Sequence, residues 1–151
     1  MFFTFKTLLH EKLYKIILKM NATLAIKVMI TLLVAVIIFH LAIVFKIIPY
    51  EITWGGRLQN DEEMYVFESI SIFINFFLAF VLLIKGKYFN DLIPIKIINV
   101  ILWIFVVLFG LNTIGNVFAN TNFEKCFAVL TFASAILIGI ILKKDQKQTH
   151  G

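Results

Sequence analysis

The chain has 151 residues, 61% of them apolar and 17 of them Phe, with a mean hydropathy of +0.96 and a formal net charge of +5. This is far too apolar for a soluble domain of ordinary composition, and the Lys residues flank apolar runs rather than forming the interleaved basic patch of a nucleic-acid binder. The single cysteine, Cys126, excludes an intramolecular disulfide and paired-thiol redox chemistry within one chain, and it reads as a small apolar residue in a helix.

Residues 1–27 form a basic amphipathic N-terminal segment. Phe5, Leu9, Leu13, Ile16 and Met20 recur at helical spacing, with Lys12, Lys15 and Lys19 on an adjoining face. That pattern fits a helix lying on an anionic inner leaflet, and equally a cytoplasmic extension of the first span. The apolar run that follows is too long for a secretory signal, and no small-residue cleavage site follows it. Asn21-Ala22-Thr23 matches a glycosylation sequon but is inert if cytoplasmic.

Four apolar runs are long enough to cross a hydrocarbon core of about 30 Å, which takes about 20 helical residues. They are placed at 28–48, 66–84, 97–118 and 126–142, the fourth being short enough to start nearer Phe123. Backbone amides in lipid must be satisfied within their own segment, and the alternation of barrel strands is missing, so the runs are helices. The predicted fold is therefore all-α, a four-helix transmembrane bundle.

Lys and Arg accumulate on the cytoplasmic side of membrane proteins. Lys6, Lys12, Lys15, Lys19 and Lys27 precede the first span against Glu11 alone. Lys85, Lys87 and Lys96 lie between spans two and three, and Lys143, Lys144 and Lys147 form a basic tail over 143–151. The first loop instead holds Glu51, Asp61, Glu62 and Glu63 against Arg57, and the third balances Glu124 with Lys125. Both termini are thus expected in the cytoplasm. Short loops make successive spans antiparallel neighbours, and Ala128, Thr131, Ala135 and Gly139 offer a strip of small residues for close helix approach.

Polar residues within the spans normally face the bundle interior, because each costs roughly 2 to 3 kcal/mol in hydrocarbon even on a lenient scale. In this orientation His40, Glu68, Ser71, Asn75, Asn112, Asn116 and Thr131 all fall in the outer half, and Asn99 alone lies near the cytoplasmic end. Glu68, Ser71 and Asn75 share one helical face, as do Asn112 and Asn116. The predicted site is an outward-facing cavity with His40 and Glu68 as its titratable pair. Interhelical hydrogen bonding by Asn75 and Asn112, and snorkelling of Glu68 to water, are the competing structural readings.

The loop after span one carries Pro49-Tyr50, Glu51, Trp54-Gly55-Gly56 and the only Arg of the chain, Arg57. Pro49 is expected to end or kink the first helix. A guanidinium fork suits a carboxylate or phosphate partner, so the loop reads either as a cap over the cavity, with Arg57 paired to Glu68, Glu51 or an anion, or as belt anchors and an ordinary turn. Together with Tyr65-Val66-Phe67-Glu68, these motifs resemble a group of small bacterial membrane proteins with four predicted spans and no assigned activity. The resemblance implies a bacterial cytoplasmic (inner) membrane and supplies no reaction.

Three functions compete at this level. The first is binding or transport of a small solute or protons through His40, Glu51, Trp54, Arg57, Glu68, Asn75, Asn112 and Asn116. The second is an accessory or structural subunit of a membrane complex. The third is a membrane enzyme on a lipophilic substrate, with His40 as base and Glu68 as its partner. Metalloprotease, serine-hydrolase, Walker and dinucleotide motifs are all missing, His10, His40 and His150 are too dispersed for a metal site, and no cofactor is expected. Expected partners are membrane lipids and a second copy or another membrane protein, with no nucleic acid.

Overall fold

The structure, a computed structural model, describes residues 20–54, 58–89, 92–119 and 122–148. The amphipathic stretch 1–19, Gly55, Gly56, Arg57 and His150 lie outside the described residues. Four helices make up the fold: α1 (Ala22–Val44), α2 (Asp61–Lys85), α3 (Ile95–Val117) and α4 (Asn122–Gln148), with a 3-10 turn at Tyr50–Ile52 between the first two. All four are long and apolar enough to cross a membrane, which makes the chain an all-α, multi-pass membrane protein.

Local capping sets bounds that the hydropathy runs blur. Asn21, the sequon residue, is the N-cap of α1, its Oδ1 accepting from Leu24 N at 2.7 Å, so the helix begins at Ala22 and not near Val28. Its far end stops at Val44, and Pro49 is not the reason. Lys46 N donates to Ile43 O and Ile47 N to Ala42 O, both at 2.8 Å, with Lys46 at φ 57°, which is a Schellman closure. Lys46 therefore lies beyond the helix, where its ammonium donates to Asp61 at 2.5 Å. The opposite end of α2 closes the same way around Lys87 at φ 58°.

The acidic cluster after the first loop is a helix start. Asn60 caps α2 by accepting from Glu63 N, while Glu63 accepts from Gln59 N, and the carboxylates of the first turn sit at the positive end of the helix dipole. α2 consequently starts at Asp61, five residues before the apolar run, and α4 starts at Asn122, four residues before its own.

Successive helices are antiparallel neighbours, and α1 closes the ring against α4. The α3–α4 interface is the most extensive and the α2–α3 interface the least. Thr131 of α4 meets Thr113 of α3 hydroxyl to hydroxyl at 2.9 Å, with Ala128 buried beside it. The small-residue strip does not continue to Gly139, where an added Cβ would meet nothing within 4 Å.

Each helix turns one stripe inward at three- and four-residue spacing. On α2 the stripe runs Met64, Glu68, Ser71, Asn75, Leu78, Leu82 and Lys85; on α3 it runs Ile98, Leu102, Phe105, Phe109, Asn112 and Asn116. Toward the end that carries the α2–α3 connection these stripes are apolar, and Ala25, Met29, Leu33, Leu78, Leu82, Ile98, Leu102, Ile138 and Ile141 pack into the main core. Toward the end that carries the α1–α2 and α3–α4 connections the stripes become polar, and packing gives way to a cavity.

Two tests of this framework follow from its polar contacts. Lys85, buried at the α2–α3 end, donates to Asn99 Oδ1 at 2.6 Å. Replacing Asn99 by Leu removes a hydrogen bond to a charged group and should cost about 1.5 to 3 kcal/mol, read from unfolding in mixed detergent. The Lys46 pKa is raised above its ordinary 10.5 chiefly by the hydrogen bond from its ammonium to Asp61. Because the folded value exceeds the unfolded one, the pair's contribution is fully present below the ordinary Lys pKa and fades as pH rises through the raised value. Asp61→Asn should flatten that alkaline loss of stability, measured by thermal unfolding across a pH series.

Candidate functional site

Glu68 is the centre of the site. It sits one helical turn past Met64 on the inward stripe of α2 and is fully buried, with 0% exposure. Its two oxygens are satisfied separately: His40 Nδ1 lies 2.5 Å from Oε2, and Trp54 Nε1 donates to Oε1 at 2.9 Å. With the proton on nitrogen, the imidazole also donates to the carboxylate. Three segments therefore converge on one side chain, the inward stripe of α1, that of α2 and the loop between them.

Trp54 reaches this position at a backbone cost. Its φ of 54° lies in the left-handed region, which a bulky side chain occupies at about 1 to 3 kcal/mol. Its indole packs on Phe67 with centroids 5.0 Å apart, and Thr53 beside it is buried with its hydroxyl donating to Tyr50 O at 2.7 Å. Beneath the turn a small apolar cluster of Ile43, Leu58 and Met64 anchors the loop to the helices. The loop is thus folded back on the bundle end, with a membrane-belt residue turned into a hydrogen-bond donor.

In front of the pair lies a cavity of about 380 Å³. His40, Trp54, Asn75, Asn112 and Asn116 line it, so five of the eight residues singled out from the sequence share one wall. Glu68 does not line it directly and stands behind His40 and Trp54. Glu51 is exposed on the 3-10 turn and does not line the cavity. Arg57 lies outside the described residues, and the oxygens of Glu68 are held by His40 and Trp54.

The amides have capacity to spare. Asn75 Nδ2 donates back to Ser71 O on its own helix at 2.7 Å, leaving its carbonyl oxygen unengaged among the described residues. Asn112 and Asn116 have no side-chain hydrogen bond to any described residue, which sets aside the interhelical-glue reading for Asn112. The hydroxyl pair Thr113–Thr131 does that work. His40 likewise uses Nδ1 alone, so Nε2 remains as the imidazole atom able to meet a ligand.

Several wall residues escaped the reading of the sequence. Glu124 was assigned to loop charge balance, yet the early start of α4 puts it in the first helical turn, where it is buried and lines the cavity. Its spacing to Phe127, Thr131 and Ser134, which also line the cavity, was the available signal. Thr53 was likewise not singled out, whereas Ser71 and Thr131, placed from the sequence, do line the cavity. No group of three or more His, Cys, Asp or Glu able to hold a metal occurs among the described residues.

Protein-family models, curated proteins and solved structures were each compared with the chain, and none matches. The chemistry is accordingly that of the geometry. A buried carboxylate oriented by an indole N–H fixes an imidazole whose Nε2 has no hydrogen-bond partner among the described residues, beside a row of open amides.

Trp54→Phe keeps an aromatic ring against Phe67 while deleting the N–H donor together with part of the indole's bulk. It should destabilise the protein by about 1.5 to 3 kcal/mol, since the bond is to a charged group, and by measurably less in a Glu68→Gln background. Unfolding of the two single variants and the double variant in detergent gives the coupling; strict additivity would mean that the Trp54 to Glu68 contact contributes nothing.

Proposed function

We propose that this chain is a bacterial cytoplasmic-membrane protein that binds a small solute in a cavity of its outer half and exchanges a proton at the His40–Glu68 pair. One observation carries the reading: Glu68 is fully buried, both its oxygens are occupied by donors from other segments, and one of those donors, His40, lines the cavity. A purely structural polar contact has no need of an adjoining cavity with unengaged amides. At about 380 Å³ the cavity falls within the ordinary size range of small-molecule sites.

Loop charge supports the orientation. The cavity end carries Glu51, Asp61, Glu62 and Glu63, and even with Lys46 and Arg57 it stays net acidic, whereas Lys85, Lys87 and Lys96 gather at the other end. The cavity then faces outward and both termini face the cytoplasm. A second copy or another membrane protein is not needed to form the cavity walls, which come from all four helices of one chain.

The His40–Glu68 distance also favours a second reading, since a carboxylate-oriented imidazole with a free nitrogen is the arrangement of a general base. Chemical conversion of a bound compound would separate an enzyme from a binding protein.

The test combines access and binding. In a Cys126→Ser background, Asn116→Cys should react with a membrane-impermeant thiol reagent added outside intact cells, and Lys87→Cys should not. A library of small polar compounds is then screened by thermal shift. A compound that stabilises the wild type should lose its effect in Glu68→Gln and be about 5 to 10 times weaker in Asn112→Leu, the worth of one hydrogen bond, while Glu51→Gln behaves as wild type. Binding that ignores both Glu68 and Asn112 would move the site elsewhere.

A further inference from the structure

The cavity is not uniformly polar. Thr53, Trp54, His40, Asn112, Asn116 and Glu124 lie toward the loop-bearing end of the bundle, while Ser71, Asn75, Thr131 and Ser134 reach further in, the last with its hydroxyl turned back to Leu130 O. Its opposite part is made of Leu33, Leu78, Phe105 and Leu130, the first three being buried members of the main core. A fully water-soluble solute would match half of this wall and leave the other half facing a polar surface.

The position of the opening carries the argument further. The α2–α3 interface is the least extensive in the ring. Its contacts include Lys85 with Asn99 and Phe77 with Phe105, whose rings are 6.3 Å apart, both nearer the connected ends of the two helices than the cavity's amides. Beyond them, Ile74 of α2 and Leu108 of α3 line the cavity and are yet 43% and 44% exposed. Side chains that are both cavity wall and outer surface mark openings: exposed Trp54 and Asn112 mark one at the loop-bearing end, and Ile74 with Leu108 mark one on the lipid-facing side. On either side of the latter stand Phe73, Phe77, Val107 and Leu111, exposed apolar groups of membrane-crossing helices that meet acyl chains, not water.

The open groups define the headgroup. Asn112 and Asn116 both donate and accept, the Asn75 carbonyl accepts, and His40 Nε2 accepts when Nδ1 carries the proton. Hydroxyl or amide functions, which also donate and accept, are the complement.

We infer that the ligand is a single-chain amphiphile with an uncharged, hydroxyl- or amide-bearing headgroup, which enters sideways from the bilayer between α2 and α3. The inference rests on the binding reading above and names the substrate class of that same site. The headgroup reaches the amides and His40 while the apolar chain lies against Leu78 and Phe105 and trails through the mouth between Ile74 and Leu108. Lateral entry keeps the chain out of water throughout, which is the step that would otherwise oppose binding at about 0.8 kcal/mol per methylene.

The experiment uses the full chain in phosphatidylcholine vesicles with three photoreactive, clickable probes: a monoacylglycerol, a fatty acid and a sphingoid amine. The monoacylglycerol should label residues 74–78 and 105–112 preferentially, be displaced by unlabelled monoacylglycerol, and be labelled about 5 to 10 times less in Asn112→Leu. Leu108→Trp, a substitution at a lipid-exposed position, should block the mouth and abolish the labelling; Val129→Trp, on exposed surface outside the cavity, should leave it intact. Labelling spread evenly over the lipid-facing surface, or indifferent to Leu108→Trp, overturns the inference, and so does preference for the fatty acid or the amine. If polar compounds still bind in a Glu68-dependent way while the amphiphile does not, only the ligand class falls. If neither depends on Glu68 or Asn112, the binding reading itself falls.

Discussion

Burying a carboxylate inside a membrane bundle dictates most of what is particular about this structure. Even the lenient insertion scale charges about 3 kcal/mol for an acidic side chain at the centre of a span, and an unpaired one is worse. Glu68 persists with no exposure because two donors reach it, and neither comes from its own helix. α1 must therefore pack beside α2 in the register that brings His40 level with Glu68. The loop between them must fold back over the bundle, and Trp54 must accept a left-handed backbone to aim its indole N–H. Removing the carboxylate would remove the reason for all three.

The rest of the bundle divides along the same axis. Between lipid-soluble helices there is no hydrophobic drive to associate, since the acyl chains are as apolar as Leu, so close packing and interhelical hydrogen bonds hold the helices together. The apolar half supplies the packing, and the Thr113–Thr131 and Lys85–Asn99 contacts supply hydrogen bonds across two of the interfaces. In the polar half some inward groups pair, as His40 and Trp54 do with Glu68 and Thr113 with Thr131, while the Asn112 and Asn116 side chains bond no described residue and line a cavity. The weak α2–α3 interface opens that cavity sideways, which is why its ligand is best sought among molecules already in the membrane.

Much of this was legible in the sequence because it depends on single-helix periodicity. Glu68, Ser71 and Asn75 could be placed on one face, and Asn112 and Asn116 on another, by counting residues. Where the reading went astray, local capping had overridden hydropathy. Lys46 was counted within the first span because apolar residues continue past it, but a Schellman closure ends the helix at Val44. Glu124 was counted as a loop charge because the apolar run starts after it, but α4 begins at Asn122 and turns Glu124 inward. Glu51, read as a candidate partner of Arg57, is exposed on the 3-10 turn and does not line the cavity.

The amino-acid sequence alone determined the number of membrane-crossing helices and which residues share a helix face. Hydrophobic length and a 3.6-residue period are properties of a segment, independent of its neighbours. Only the tertiary structure decided that Glu68 is held by His40 and Trp54, that Asn112 stays unengaged among the described residues while Thr113 bonds across to Thr131, and that Ile74 and Leu108 are at once cavity wall and exposed surface. Those are matters of rotation and register between helices and of one strained loop residue. Many side-chain contacts must balance at once to set them, and no single segment of the sequence carries that sum.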